Sequence, residues 1–467
     1  QDVGLAVAGA RKGAVTLNGT FTGTGNSQTH ILGTINNNGN ILVNGGGGTN
    51  TYLLLYGNTT LQGTAGSTVT LSNTSSGGGN AYLYSNAGAL TLTNVNNVIQ
   101  GEGNLGQGTA MTLVNDVGGT INANSTGSPL TNNLVVQVAG SGGSPGIVNQ
   151  GLMEATNNGV LQIQSTTVNN AGGNITANGS GATVELNGGV TIQGGTLNTL
   201  NGGTFENVTS GSTLDGSTQG AITLNGTFTG AGNSQTTLFG TLNNKGNVQL
   251  NGGGGTNTYL FVNGNTTLQG TAGSTITLSN TVSGGGTNLY SNAGADTLTN
   301  VNNVIQGEGD IGAGTAMTVV NQSGGVINAN STGGALTTTL EFNPGVTATN
   351  QGLMEATNSG LLLIQSTTIN NAGGNITANG SGATVQLNSA TIQGGTLNTL
   401  NGATFENISN GTTLDGSTQG AMTINGTFTG AGNSQTHVIG TFNNNGNIQI
   451  NGGGGTNTYL FPDANVT

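Results

Sequence analysis

The sequence predicts an all-β fold, a parallel β-helix. Three observations lead there: a long internal repeat, short alternating apolar runs closed by Asn and Gly, and a composition unlike that of globular domains. GAVTLNGTFTGTGNSQTHILGT starts at Gly13, GAITLNGTFTGAGNSQTTLFGT at Gly220 and GAMTINGTFTGAGNSQTHVIGT at Gly420. Between these markers NVNNVIQGEG recurs from Asn94 and Asn300, NQGLMEATN from Asn149 and Asn350, and TIQGGTLNTLNG from Thr191 and Thr391. Such self-similarity marks a repeat architecture. It divides the chain into a lead-in (1–12), a first long copy (13–219), a second (220–419) and the opening of a third (420–467), all one continuous solenoid. The copies differ in length where NNLVVQVAGSGGSPG stands against TTLEFNPGVTA, which read as outward loops.

Inside each copy runs a finer beat. In ATVELN, Val184 and Leu186 flank Glu185, so two apolar side chains point one way and a carboxylate the other. Such alternation argues a half-buried strand, and the Asn-Gly clusters that follow supply the positive φ of tight turns. Helices are excluded because Gly, Asn and Thr are poor helix formers and no apolar spacing sustains one. The turn clusters return about every 20 to 25 residues, within the range of solenoid repeats. At that period the chain makes about 20 coils, and a rise of ~4.8 Å per coil gives a rod on the order of 90 to 110 Å. Crossover preference makes the coil right-handed. A sandwich or propeller is the competing fold, but those are commonly anchored by aromatic residues, and this chain has no Trp and 4% aromatics.

Composition fits stacking. Only 4% of the chain is charged and 91 residues are Gly, so Asn, Thr, Ser and Gln must carry the polar surface. Disorder is disfavoured by the 32% apolar content and by only four prolines. Asn and Thr can instead form ladders from coil to coil, as amide side chains do in stacked strands. The runs Gly45, Gly46, Gly47, Gly48, then Gly252, Gly253, Gly254, Gly255, and Gly452, Gly453, Gly454, Gly455 read as corners or protruding loops ahead of the strand TNTYL. A phosphate cradle needs Lys and Ser or Thr directly after the glycines on a helix N-terminus, and Thr-Asn-Thr-Tyr follows here.

Charge excludes several partners. The net charge of -12 comes from 15 carboxylates against Arg11, Lys12 and Lys245. Nucleic acid would require many cations to replace phosphate counterions. No apolar run approaches the ~20 residues of a spanning helix, so no membrane insertion is expected in this segment. Without Cys there are no disulfides and no thiolate metal sites. His30 and His437, isolated in sequence, offer no metal site, and seven aspartates are too few for a calcium repeat with an Asp in each turn. No cofactor is expected.

Chemistry, if present, must rest on acids found in both long copies: Glu102 and Glu308, Glu154 and Glu355, Glu206 and Glu406, Asp215 and Asp415. A glycosidase needs two carboxyls about 5 to 10 Å apart, which makes Glu206 with Asp215, or Glu406 with Asp415, the candidate pairs. The simpler reading is that all are single solvated carboxylates facing out of their strands. The Asn-X-Ser/Thr triplets at Asn18, Asn124, Asn174 and Asn207 read first as ladder and turn residues.

NQGLMEATNSGLLLIQS, INNAGGNITANGSGATVQLN and TIQGGTLNTLNGATFEN resemble the repeats of very large bacterial surface and secreted proteins, among them autotransporter passenger regions and filamentous haemagglutinin-like adhesins. The resemblance spans the chain from about Gly13. It implies export, an extracellular rod at the cell surface, and adhesion or matrix building, and the lack of convergent charged partners around the acids argues for a non-enzymatic role. The expected partners are the protein itself, stacked end to end or within a longer array, and surface glycans or other surface proteins. The competing function is a carbohydrate-active β-helix enzyme, a polysaccharide lyase or hydrolase. Ice or crystal binding by Thr ranks is disfavoured because no Thr-X-Thr motif keeps one spacing.

Overall fold

The computed structural model describes residues 3–4, 14–73, 79–125, 133–140, 142–253, 255–280, 285–312, 315–331, 338–453 and 457–467. All of the lead-in except Val3 and Gly4 lies outside them, as do Gly254, Gly454 and Gly455. The chain is an all-β parallel β-solenoid of about 18 turns, with no helix among the described residues. Two compact units divide it, Gln1–Thr229 and Gly230–Thr467.

The turns are slightly fewer than sequence spacing gives because coils vary in length. Thr20 pairs with Asn40 of the next coil, while Asn115 meets Asn149, 34 residues on. The stretches expected as outward loops supply strands of the stack instead: Asn133–Val136, Thr339–Phe342 and Gly345–Asn350 pair with neighbouring coils, with Leu134, Val136, Leu340 and Phe342 fully buried. Register slips between Ile31 and Gly33, Leu238 and Gly240, and Met317 and Val319.

In the first unit three strands make most coils. Val98–Gly101, Thr120–Asn124, Leu152–Thr156, Asn174–Asn178, Gly195–Leu200 and Ile222–Asn225 stack in parallel as one face. Asn133–Val136, Val160–Gln164, Thr183–Asn187 and Thr204–Asn207 form a second, and Ile147–Asn149, Thr167–Asn169, Thr191–Gln193 and Ser212–Gly216 a third. Because side chains alternate along a strand, every second residue enters the core. Ile41, Val69, Ile99, Ile121, Met153, Ile175, Leu197 and Leu224 thereby stack in register on successive coils, all within 1% of full burial. Fully burying one such side chain contributes about 1.5–3 kcal/mol relative to exposure. A coil obtains this only when it has neighbours on both sides. The second unit repeats the arrangement with Val248, Ile276, Ile305, Ile327, Met354, Ile376 and Leu397.

Asparagine ladders do form, on the surface, where Asn201 donates to Asn178 (2.8 Å) and Asn401 to Asn379 (2.8 Å), and also inside the stack. Asn94 Nδ2 donates to Asn115 Oδ1 (3.0 Å), Asn115 to Asn149 (2.8 Å) and Asn149 to Asn170 (2.7 Å). In the second unit Asn300, Asn321, Asn350 and Asn371 repeat the ladder at 3.0, 2.9 and 2.7 Å. All eight side chains are at most 1% exposed. A buried amide without partners would cost roughly 1–3 kcal/mol, so each coil must present its Asn at the same height as the next. The ladder thereby locks the register that apolar stacking alone leaves loose.

Candidate functional site

Where they are described, the glycine runs build short loops closed by a backbone bridge. In the first copy Gly46 and Thr49 close a short antiparallel bridge, with Gly46 N–H to Thr49 O at 3.0 Å and the reverse bond at 3.2 Å. Gly46, Gly47 and Gly48 all have positive φ (148°, 63° and 79°), which is why a run of glycine stands there. Gly253 and Thr256 form the same bridge in the second copy. The hydroxyl of Thr51 clasps the loop at Asn44 O (2.6 Å), as do Thr258 at Asn251 O (2.7 Å) and Thr458 at Asn451 O (2.8 Å).

Glu206 and Asp215 stand in different strands with different partners. Glu206 lies beside Glu185 of the preceding coil, and Asp215 beside Gln193. Burial pushes the Glu206 carboxyl above the ordinary glutamate range, and the neighbouring Glu185 charge adds to that. Asp215 goes the other way. Its Oδ1 accepts from the Ser217 amide (2.9 Å), the Ser217 hydroxyl (2.6 Å) and the Thr218 amide (3.0 Å), and Oδ2 from the Thr218 hydroxyl (2.5 Å). Burial alone would raise this carboxyl, but the Ser217 and Thr218 donors outweigh it and hold it below the usual aspartate value. Such a saturated carboxylate is a fixed anion closing a turn. Asp415 is held identically by Ser417 and Thr418 and is lowered for the same reasons. Glu406 accepts from Gln386 at 2.8 Å, where the first copy has the second carboxylate.

The acids shared by the copies are therefore not all solvated. Glu102 and Glu308 are 2% and 1% exposed and Asp215 and Asp415 are 7% and 6%, which corrects the expectation of outward, solvated carboxylates. For Asp215 and Asp415 the physical reason is the turn that supplies their donors. Glu154 and Glu355 are half-buried on the sheet face, and burial raises both.

Among the described residues no three His, Asp or Glu side chains are grouped to hold a metal ion. His30 stacks on Tyr56 with ring centroids 4.0 Å apart, and His437 Nδ1 lies 2.8 Å from Asp463 Oδ2. A cavity at one end of the first unit is lined by Phe21, Thr22, Gly23, Thr24, Gly25, Ser27 and Thr29, none of them ionisable. Of the Asn-X-Ser/Thr triplets, Asn207 is fully buried and is no glycan acceptor in the folded chain.

Sequence reasoning assigned nothing to the tyrosines. All seven stand either in the strand that follows a glycine loop or in the strand of the next coil beside it: Tyr52, Tyr56, Tyr82, Tyr84, Tyr259, Tyr290 and Tyr459. Their spacing in the repeat was a visible signal.

No family model, no curated protein and no solved structure matches this chain.

Proposed function

We propose that this protein is a non-enzymatic structural solenoid of the bacterial cell exterior, an adhesin or a subunit of an extracellular fibre whose coils pair end to end. The observation that carries the proposal is the stack itself, in which the inner row of each coil is buried by the strands of the next. Leu250 and Leu260 are fully buried beneath the following coil, while Ile450 and Leu460, beyond which no further coil is described, are 38% and 36% exposed. A strand with unpaired amides and an apolar inner row is a template for further pairing. A solenoid coil, from a second copy or from a longer array of the same repeat, offers the complementary surface. The resemblance of the repeats to bacterial surface proteins supports export.

Size-exclusion chromatography and electron microscopy of the chain test this. Concentration-dependent fibres that disappear in an Ile450→Lys, Leu460→Lys variant are expected. A wild-type chain that persists as a monodisperse monomer overturns self-stacking.

One observation favours the second reading, a carbohydrate-active enzyme. Glu185 and Glu206 are register neighbours on adjacent strands, a spacing of about 4.8 Å, near the ~5–5.5 Å of a retaining carboxyl pair. Release of reducing sugar from a polysaccharide panel, abolished in Glu206→Gln, would establish that reading against the first.

A further inference from the structure

Five phenylalanines lie inside the coils, and every tyrosine except Tyr82, which is 9% exposed, reaches the surface. Phe205, Phe228, Phe342, Phe405 and Phe428 are at most 1% exposed, whereas Tyr56 is 44% exposed, Tyr459 is 41% exposed, and Tyr52, Tyr84, Tyr259 and Tyr290 are half-exposed. In the first unit Tyr52 stacks on Tyr82 of the next coil (centroids 5.3 Å, 15° between planes), and Tyr84 meets both edge-on at 6.2 and 6.3 Å. Beneath them Leu54 faces outward, in register with Tyr84, yet is only 2% exposed, so the rings form a second apolar layer on the outside of the sheet. The second unit builds its counterpart from Tyr259, Phe261 and Tyr290, with centroids 5.3 to 5.8 Å apart. An aromatic patch kept at the surface in each copy marks an interaction site.

Hydrogen bonding narrows the partner. The amide of an Asn two residues earlier donates to the phenol oxygen in all three copies: Asn50 to Tyr52 (3.1 Å), Asn257 to Tyr259 (3.0 Å) and Asn457 to Tyr459 (2.9 Å). Asn86 does the same for Tyr56 at 2.9 Å. A phenol oxygen that already accepts keeps its own O–H free to donate away from the loop. The face therefore presents fixed rings and oriented hydroxyl donors, a combination that gives contact area at low entropic cost.

Charge narrows it further. The ring contacts and phenol hydrogen bonds of the first-unit patch involve Tyr, Asn and His30 only. The whole chain holds just Arg11, Lys12 and Lys245 as cations, at a net charge of -12. An acidic polymer finds no countercharge and is repelled, and a basic protein partner would find a carboxylate at the second-unit patch, where Asp310 neighbours Tyr290, but none among the first-unit patch's ring contacts and phenol hydrogen bonds. A neutral polymer of saturated, hydroxyl-bearing rings fits, its C–H faces against the aromatic rings and its oxygens accepting from the phenols.

We infer that the tyrosine faces are binding sites for a neutral polysaccharide. This rests on the adhesin reading above and names its ligand class, while being independent of end-to-end stacking. Tyr52 and Tyr84 belong to successive coils and both reach solvent, with Tyr82 packed against them at 9% exposure, so a linear chain laid across the coils meets more than one ring.

The chain has no Trp, so tyrosine emission reports on these faces alone. The test titrates the 467-residue protein with a β-1,4-glucan hexamer, an N-acetylglucosamine hexamer and a mannan hexamer, with a galacturonate hexamer as the acidic comparison. Expected are a saturable change in tyrosine emission with a neutral hexamer, insensitive to salt, and a loss of affinity of about tenfold or more in Tyr84→Ala, as for an aromatic anchor. Tyr56→Ala, at the most exposed ring, checks the site where folding is least at risk, with circular dichroism as the fold control. Absence of binding to all three neutral hexamers, tighter binding of the acidic one, or unchanged affinity in both folded variants would overturn the inference. Failure here leaves the assembly experiment untouched, and a monodisperse monomer leaves this titration untouched.

Discussion

Asn247–Val262 and Asn447–Pro462 spell nearly the same coil and meet different neighbours. Val248, Leu250, Leu260 and Val262 are fully buried, because Thr275–Asn280 and Thr287–Ser291 pair along the free side of their strands. In the later copy no strand among the described residues covers that side, and Ile450, Leu460 and Phe461 are 36–38% exposed. Burial in this molecule is thus a property of the stack, with each coil's sequence supplying only the side chains to be buried. Regular alternation within a strand says which residues can enter a core, and the next coil decides whether they do.

The largest expected contrast comes from cutting the same leucine in both settings. Leu260→Ala leaves a hole between two coils and should cost about 3 kcal/mol, read as a shift in the urea midpoint. Leu460→Ala removes a side chain that is already partly solvated, so less than about 1 kcal/mol is expected. Equal losses would mean that the later coil is covered in solution, and a loss that grows with protein concentration would show that the cover is another copy.

A smaller contrast lies in the amides. Asn244 is fully buried and donates to Asn303 Oδ1 (2.8 Å) and Thr275 O (3.0 Å). Asn444 keeps only the local bond of the pair, accepting from Gly446 N–H at 3.1 Å as Asn244 does from Gly246. Asn244→Ala should cost about 2 kcal/mol, since a buried partner is left unsatisfied, while Asn444→Ala should fall within about 0.5 kcal/mol of wild type. Matching effects would show that the ladder contributes little to register.

The fold was legible because it is written in turns: the Gly-rich corners, the alternation at Val184, Glu185 and Leu186, and the long offsets between copies all act through local geometry. The ladders were half legible. Recurrent Asn marks a stacking position, but nothing in NVNNV or NQGLM tells that Asn94 and Asn149 point inward. The acids were the least legible. What separates Asp215 from Glu206 is the Ser217–Thr218 turn and a register neighbour one coil away, and the neighbour lies beyond any local window. The tyrosines escaped for a different reason: an aromatic residue in an alternating strand has the same local signal on either side of the sheet.

Turn anions give the next contrast, within one coil. Asp215 titrates below and Glu206 above its ordinary value, so their pH dependences oppose each other. Asp215 contributes stability above the ordinary aspartate pKa, lost as pH falls through its lowered folded value. Asp215→Asn should cost about 1 kcal/mol at neutral pH, discounted for the solvent near the turn, and the cost should vanish in acid. A penalty that persists in acid would place the role of Asp215 in shape instead of charge.

The smallest effect separates the two copies at one ladder position, where Glu185 over Glu206 in the first becomes Gln386 over Glu406 in the second. Like charges in register oppose stacking, and a raised folded pKa means that the protonated Glu206 is the better neighbour. Its contribution is present below the ordinary glutamate pKa and is lost as pH rises through the raised folded value. At neutral pH the first copy therefore carries a small repulsion that the second has replaced with a hydrogen bond. Glu185→Gln should stabilise by a few tenths of a kcal/mol at neutral pH and by nothing in acid, the scale of a partly exposed like-charge pair across two strands. The reverse change, Gln386→Glu, should install the repulsion in the second copy. Urea midpoints at neutral and acid pH for both variants give the sign directly. A Glu185→Gln variant that loses stability at neutral pH would show that the pair is bridged by something that binds it, a cation or a shared proton.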